Sequence, residues 1–420
     1  MMQALSFEQA PPLHVPLRFF LTAPLFGVAA GVVLILQPDL ALATRWTAAT
    51  LAMVHLVAVG FLLNIMAGAL FQLMPVAVGA NLRGVVPVAT LTHGALVVLP
   101  VALAAAFLWQ WNGAVILAMG LAALLVVVFI PVVLLSLLRT PAGGPTVKVL
   151  PWAVLGLGGT LVLGASLLAA RQGWLVAGWF SVTPVHVGWG LGVWALGLLA
   201  GVAYLVVPMF QLTPPYPPRF AASLGWGLAV VSLGGGVSPW REPLLGVALA
   251  ILAGVFAALT LNLQRRRRRA RLDMTFRMWR LAMVAMLGGA VLTIAALLVD
   301  EPRWAVTAGL VIFAGVLLSA TVGMLYKIVP FMIWLNLQQR LGRGPNMMQI
   351  IPEAGQLRHY RLHCLMLALL LLAPWVEAFR IPAGGLVVAW SLMLLLHLAR
   401  AVRWYRQACR ASQERGAQAP

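Results

Sequence analysis

The side chains best placed to do chemistry in this sequence are histidines. His55 follows nine uncharged residues, Trp46 to Val54, at the start of a long apolar stretch. A neutral imidazole at such a place can ligate haem iron while its other nitrogen bonds a carbonyl. It can equally be an interfacial histidine hydrogen-bonded to a neighbouring helix, and spacing alone leaves both readings open. His186, in the run Thr183-Pro184-Val185-His186-Val187-Gly188, allows the same two readings. Two such histidines at similar depth could face one site.

His359 and His363 stand four apart, which puts both on one helical face and suits a transition metal. Arg358 and Arg361 flank them, however, and no carboxylate completes a ligand shell, so a basic belt at the membrane interface is the favoured reading. His93 lies near the start of another apolar stretch, and His14 and His397 read as interfacial or outside the membrane. The sequence contains no HExxH, CxxC, P-loop or GxSxG. Asp39, Glu242, Asp300, Glu301 and Glu377 all fall at the ends of apolar stretches. A proton-coupled carrier that relies on a buried carboxylate is thereby disfavoured. Gln72 and Lys327 are close enough to a span end to snorkel, or to serve a polar cavity.

The elements that must position these residues are membrane helices. The chain is 62% hydrophobic and 9% charged, with a mean hydropathy of +0.99, too little polar surface for a water-soluble domain. Twelve apolar spans can be drawn, near 18–37, 47–75, 90–108, 113–138, 150–170, 181–210, 221–237, 243–263, 278–299, 304–334, 360–379 and 381–402. The N-terminus lacks a basic n-region and a cleavage site, so the first span reads as uncleaved. Cys364 and Cys409 provide neither a disulfide framework nor a thiolate metal motif.

Charge sets the orientation. Of 28 Lys and Arg, only Arg45, Arg171, Arg241, Arg303 and Arg380 fall opposite the termini. The positive-inside rule then places both termini in the cytoplasm, with the protein in a bacterial inner membrane. The run Arg265–Arg269, with Arg271, Arg277 and Arg280, reads as an anchor on anionic lipid. No aromatic residue interleaves Arg265–Arg269, which speaks against nucleic acid as the partner.

One pattern recurs. Gly68-Ala-Leu-Phe71-Gln-Leu-Met-Pro75 matches Gly201-Val-Ala-Tyr204-Leu-Val-Val-Pro208 and Gly323-Met-Leu-Tyr326-Lys-Ile-Val-Pro330, all Gxx[FY]xxxP. The three copies fall on spans 2, 6 and 10, so the chain reads as three four-helix repeats in one orientation. The expected fold is an all-α membrane protein of about twelve transmembrane helices in a pseudo-threefold arrangement. Its repeats are residues 1–145, 146–270 and 271–420, the last with a cytoplasmic tail. The motif glycines let a neighbouring helix or a flat ligand approach the backbone. The prolines end or kink their helices.

The second span also resembles the signature helix of NnrS-type membrane proteins, whose pattern runs roughly H-x4-G-F-x5-A-G-x6-P-x3-G. His55, Gly60, Phe61, Ala67, Gly68, Pro75 and Gly79 meet it, and Leu17-Arg18-Phe19-Phe20-Leu21 is similar to the RPFF stretch of that family's first helix. Three arcs of four helices is also the architecture of haem-copper oxidase subunit I. The resemblance implies a b-type haem near the outer face, with His55 as an axial ligand. His186 would then be a second haem ligand or a copper ligand, and Gly68 and Gly201 would line the cofactor. It implies electron transfer, nitric-oxide-linked metabolism or haem and copper handling, alongside respiratory or metal-handling membrane partners. The oxidase histidines of spans 7 and 10 are absent and position 190 is glycine, so the oxidase reaction itself is not expected. The rival expectations are a cofactor-free permease, an assembly factor, and a copper carrier using His55, His186 and Met53.

Overall fold

The computed structural model describes residues 7–141, 143–175, 179–234, 241–268, 272–342 and 346–417. Arg269 and Arg271 of the basic run lie outside them. Among the described residues every regular element is helical and none is a strand. Ten helices among the described residues are long and apolar enough to cross a membrane. They are α1 (His14–Leu36), α2 (Ala48–Val78), α3 (Val85–Trp109), α4 (Asn112–Arg139), α5 (Pro145–Arg171), α6 (Val182–Gln211), α8 (Pro243–Arg265), α9 (Met274–Leu298), α10 (Pro302–Arg340) and α12 (Glu377–Ala411). Two more helices stand at the remaining expected spans. Helix α7 (Pro218–Gly234) is 17 residues long. Helix α11 (Glu353–Leu372) has its first half filled with Glu, Arg and His.

The protein is thus an all-helical, multi-pass membrane protein, and its environment is a lipid bilayer. Ile116, Val127, Val162, Trp226 and Val291 are each more than half exposed on its outer surface, where lipid tails replace water as their neighbours. The first and last helices close the bundle on each other. A Cβ on Gly31 would lie 2.8 Å from the Gly384 carbonyl oxygen, so α1 and α12 meet backbone to backbone. Arg380 Nη1 bridges to Asp39 Oδ1 at 3.0 Å across the ends of these two helices. Helices α8 and α9 pack along each other, as do α4 and α5.

Helices α2, α6 and α10 share a second feature. Each opens into a π-helical stretch, at Leu56–Leu63, Gly188–Leu196 and Val311–Leu318, a similar distance ahead of its motif glycine. A shorter π stretch occurs in α4, at Leu125–Phe129. The wider turn frees carbonyls that must be satisfied inside the protein. In α2 the buried Asn64 does this, donating from Nδ2 to Gly60 O at 2.7 Å and to Leu96 O at 3.2 Å.

The three prolines act differently. Pro75 lies in a final π turn, Met74–Val78, and α2 ends at Gly79 in the left-handed region (φ 71°). Helix α6 ends at Gln211, three residues past Pro208, with Leu212 also left-handed (φ 53°). Helix α10 carries Pro330 in its interior and runs on ten residues to Arg340.

The motif glycines are packing positions. The space before Gly68 is filled by Phe19, whose Cβ would lie 2.8 Å from an added Cβ; Gly201 meets Leu150 Cδ2 at 3.0 Å, and Gly323 meets Met278 Cβ at 2.7 Å. Thr146 donates to the Gly201 carbonyl at 2.8 Å, and Thr275 to the Gly323 carbonyl at 2.9 Å. Alanine at Gly68 or Gly323 therefore meets a Cβ, while alanine at Gly201 meets only the end of a leucine side chain. Gly68→Ala and Gly323→Ala are expected to destabilise the detergent-solubilised protein by about 1–3 kcal/mol, and Gly201→Ala by less. Thermal unfolding followed by tryptophan fluorescence checks the order. At the start of α9, Asp273 Oδ1 accepts from Phe276 N at 2.9 Å as an N-cap. Asp273→Ala should cost about 1 kcal/mol more than Asp273→Asn, which keeps a capping oxygen; the same melts compare the two.

Candidate functional site

The facing sides of α2, α6 and α10, with the start of α9, do not fully meet. Between them lies a cavity of about 730 Å³, within the size range of small-molecule sites. Its deep wall is apolar: Ile65 and Met66 from α2, Leu198 and Val202 from α6, Met324 and Leu325 from α10. Toward the ends of α2 and α6 the lining becomes polar. Gln72 and Lys327, which occupy the same place in their motifs, both line it, as do Asp273, Thr275 and Thr321. Residues 346–356 cover this end. Asn346, the N-cap of a short helix at Met347–Ile350, lines the cavity with Met347, Met348 and Ile351, and Glu353 and Gln356 follow from the start of α11.

Lys327 Nζ reaches Asp273 Oδ2 at 3.3 Å, with both side chains about a quarter exposed. The pair carries opposite charges on α10 and the start of α9, so this end of the cavity holds a dipole of fixed direction. A neutral solute with N–H and C=O groups finds partners there. An ion entering the apolar part would lose hydration with little in return.

The histidines chosen from the sequence separate into two groups. His55 and His186 do come together: their ring centroids are 6.3 Å apart and their planes 18° apart. His55 Nδ1 bonds Leu51 O at 2.7 Å and His186 Nδ1 bonds Thr160 O at 3.0 Å. A carbonyl only accepts, so both rings carry their proton on Nδ1 and each presents Nε2 as an acceptor. Phe107 packs against His55 with 5.0 Å between ring centroids. The cavity's first residue on α2 is Ile65, about 15 Å further along the helix at 1.5 Å per residue, so this pair stands apart from it.

His359 and His363 do not face outward from the bundle. Both are fully buried, and His397 is nearly so. Helix α11 puts Gly355, His359, His363, Met366 and Leu370 on its buried face. His359 and His363 point to different partners. His363 Nε2 lies 2.8 Å from Ser319 Oγ, while His359 and His397 both contact the Tyr326 hydroxyl. His93 Nε2 lies 2.9 Å from Thr22 Oγ1. Among the described residues no group of three or more His, Cys, Asp or Glu is arranged to hold a metal ion. Sequence reasoning gave no part to Asn64 or Asp273, and named Tyr326 only as a motif aromatic. For Tyr326 the signal was present, since two of the three motif aromatics are tyrosines in otherwise apolar spans.

Comparison with known proteins bears on the same helices. The family model described as "Urea transporter" matches residues 271–338. This stretch runs from Asp273 through α9 and nearly all of α10, and so supplies one whole side of the cavity. No curated protein matches the chain. The match overturns the expected kinship with NnrS-type and haem-copper oxidase subunit I proteins. With it fall the haem-based electron-transfer function and the copper, respiratory and nitric-oxide roles attached to that resemblance. The physical reason lies in α10. Where an oxidase has histidine ligands, the matched stretch has no histidine and brings Asp273, Thr275, Thr321 and Lys327 to a cavity wall. The chain's measured likeness, over this stretch, is to a family of solute transporters.

Proposed function

We propose that the protein is a permease for small, neutral, hydrogen-bonding solutes of the urea class, which pass through the cavity between α2, α6 and α10. One observation carries the reading: the segment similar to the urea transporter family supplies the cavity's α9–α10 side, including the ion pair Lys327–Asp273. The chemistry agrees. A urea-like molecule exchanges water for the Thr321 hydroxyl and the Gln72 amide at modest cost, whereas an ion in the same cavity would pay several kcal/mol.

We read the cavity as lying on a pseudo-threefold axis of three four-helix units, residues 1–145, 146–270 and 271–420. The equivalent packing at Gly68, Gly201 and Gly323, and the π stretch in each long helix, support that division. The polar end of the cavity then faces the cytoplasm of a bacterial cell, because the termini and the arginine-rich segments share that side.

The purified protein in liposomes should take up tracer urea faster than protein-free vesicles. Filling the cavity should stop this. Ala69→Trp places an indole on the α2 wall and is expected to lower the rate roughly tenfold, or about 1.4 kcal/mol in barrier. Wild-type vesicles no faster than empty ones for urea and for other small amides would refute the reading.

A further inference from the structure

Behind the α10 wall of the cavity, three buried groups form a chain whose proton positions the geometry fixes. His359 Nε2 lies 3.0 Å from the Trp390 carbonyl oxygen. A carbonyl cannot donate, so Nε2 holds the proton and the neutral ring's Nδ1 is an acceptor. The Tyr326 hydroxyl, 2.8 Å from that Nδ1, donates to it. With its one proton committed, Tyr326 Oη accepts from His397 Nδ1–H, also at 2.8 Å. His397 Nε2 is then bare. It sits over Gly355 on the first turn of α11, where a Cβ would lie 3.2 Å from it.

The surroundings give this chain a direction. Tyr326 is a cavity-wall residue and only 4% exposed. The charged groups facing His397 are Arg358 from α11 and Arg400 from α12. His359 faces His363 and His397. From α10, Ser319 bonds His363, and Lys327, next to Tyr326, is turned to Asp273. The bare nitrogen is thus at the arginine-rich end, and the chain's middle member is at the cavity. Packing alone does not call for two histidines joined through a tyrosine hydroxyl here, since leucine or phenylalanine would fill the same space.

We infer that Tyr326, His359 and His397 form a proton-binding site that couples solute movement through the cavity to one proton. A proton from the arginine-rich side bonds to His397 Nε2. His397 passes its Nδ1 proton to Tyr326 Oη as Tyr326 passes its own to His359 Nδ1. Two N–H bonds and one O–H bond form; one N–H bond and one O–H bond break. The charge ends on His359, and the Tyr326 hydroxyl now points its proton at His397. The reversal occurs at a residue of the cavity wall, so cavity and proton occupancy are linked. The inference rests on the permeation reading only for the identity of the coupled solute.

The test uses the full-length protein in liposomes with a trapped pH-sensitive dye. An inward urea gradient is applied in one arm, and a valinomycin-imposed potential without solute in the other. Tracer urea uptake accompanied by a change in lumen pH is expected, with the pH change lost in His397→Gln. Tyr326→Phe, which removes both bonds at once, should lose the pH change as well. Urea uptake with no pH change in wild type overturns the inference and leaves the permeation reading standing. No urea uptake, but potential-driven proton entry that His397→Gln abolishes, supports the proton site and refutes urea as its solute. Neither signal in wild type overturns both.

Discussion

The arrangement depends on how closely α1, α5 and α9 approach α2, α6 and α10. Lipid gives helices no hydrophobic reason to associate, so association must come from close contact and shared hydrogen bonds. Gly68, Gly201 and Gly323 provide the contact, and the threonines at 146 and 275 add a hydrogen bond to the glycine carbonyl opposite. Each long helix is thereby held from its outer side. Its inner side is left with bulky, ill-fitting neighbours such as Met66, Leu198 and Met324, and the space between them is the cavity. The void is a consequence of where the small residues are.

Much of the architecture was legible because membrane helices announce themselves by composition. The spans, the three motif copies and the polar places at Gln72 and Lys327 could all be found by counting. The burial of His359 and His363 was missed for a local reason. Arg358 and Arg361 suggested an interface, yet the arginines and histidines lie on different faces of α11. The spacing Gly355, His359, His363, Met366, Leu370 follows one face throughout, and reading it would have put both imidazoles inside. The partner Tyr326 lies 33 residues away from His359, and no local pattern predicts that meeting.

The misleading resemblance has a physical origin too. Most residues that carried it have packing roles here. Gly60 admits the ring of Phe26, Phe61 stacks on Trp390 at 5.6 Å between centroids, and Gly68 admits Phe19. Small residues spaced so that neighbouring aromatics can enter will recur in any tightly packed helical membrane protein. His55 was the one member with chemistry of its own, and a single histidine beside a packing motif does not specify a cofactor.

The threefold pattern is most informative where it breaks. At the motif aromatic, Phe71 packs among Phe19 and Phe129. Tyr204 lies edge-on to Tyr216, its buried hydroxyl without a hydrogen-bond partner. Tyr326 alone of the three holds two histidines. At the next position the residues are Gln72, Leu205 and Lys327, and Lys327 is paired with Asp273. The helix carrying both polar departures is α10, which also runs on beyond its proline while α2 and α6 stop. A symmetric set of three helices would enclose a featureless apolar hole. The extra turns of α10 bring the loop at 346–351 and the start of α11 over the cavity, and α11 carries His359 with it. The departures of α10 from α2 and α6 therefore add Thr321, Lys327 and its partner Asp273 to the one polar group, Gln72, that α2 brings to the cavity.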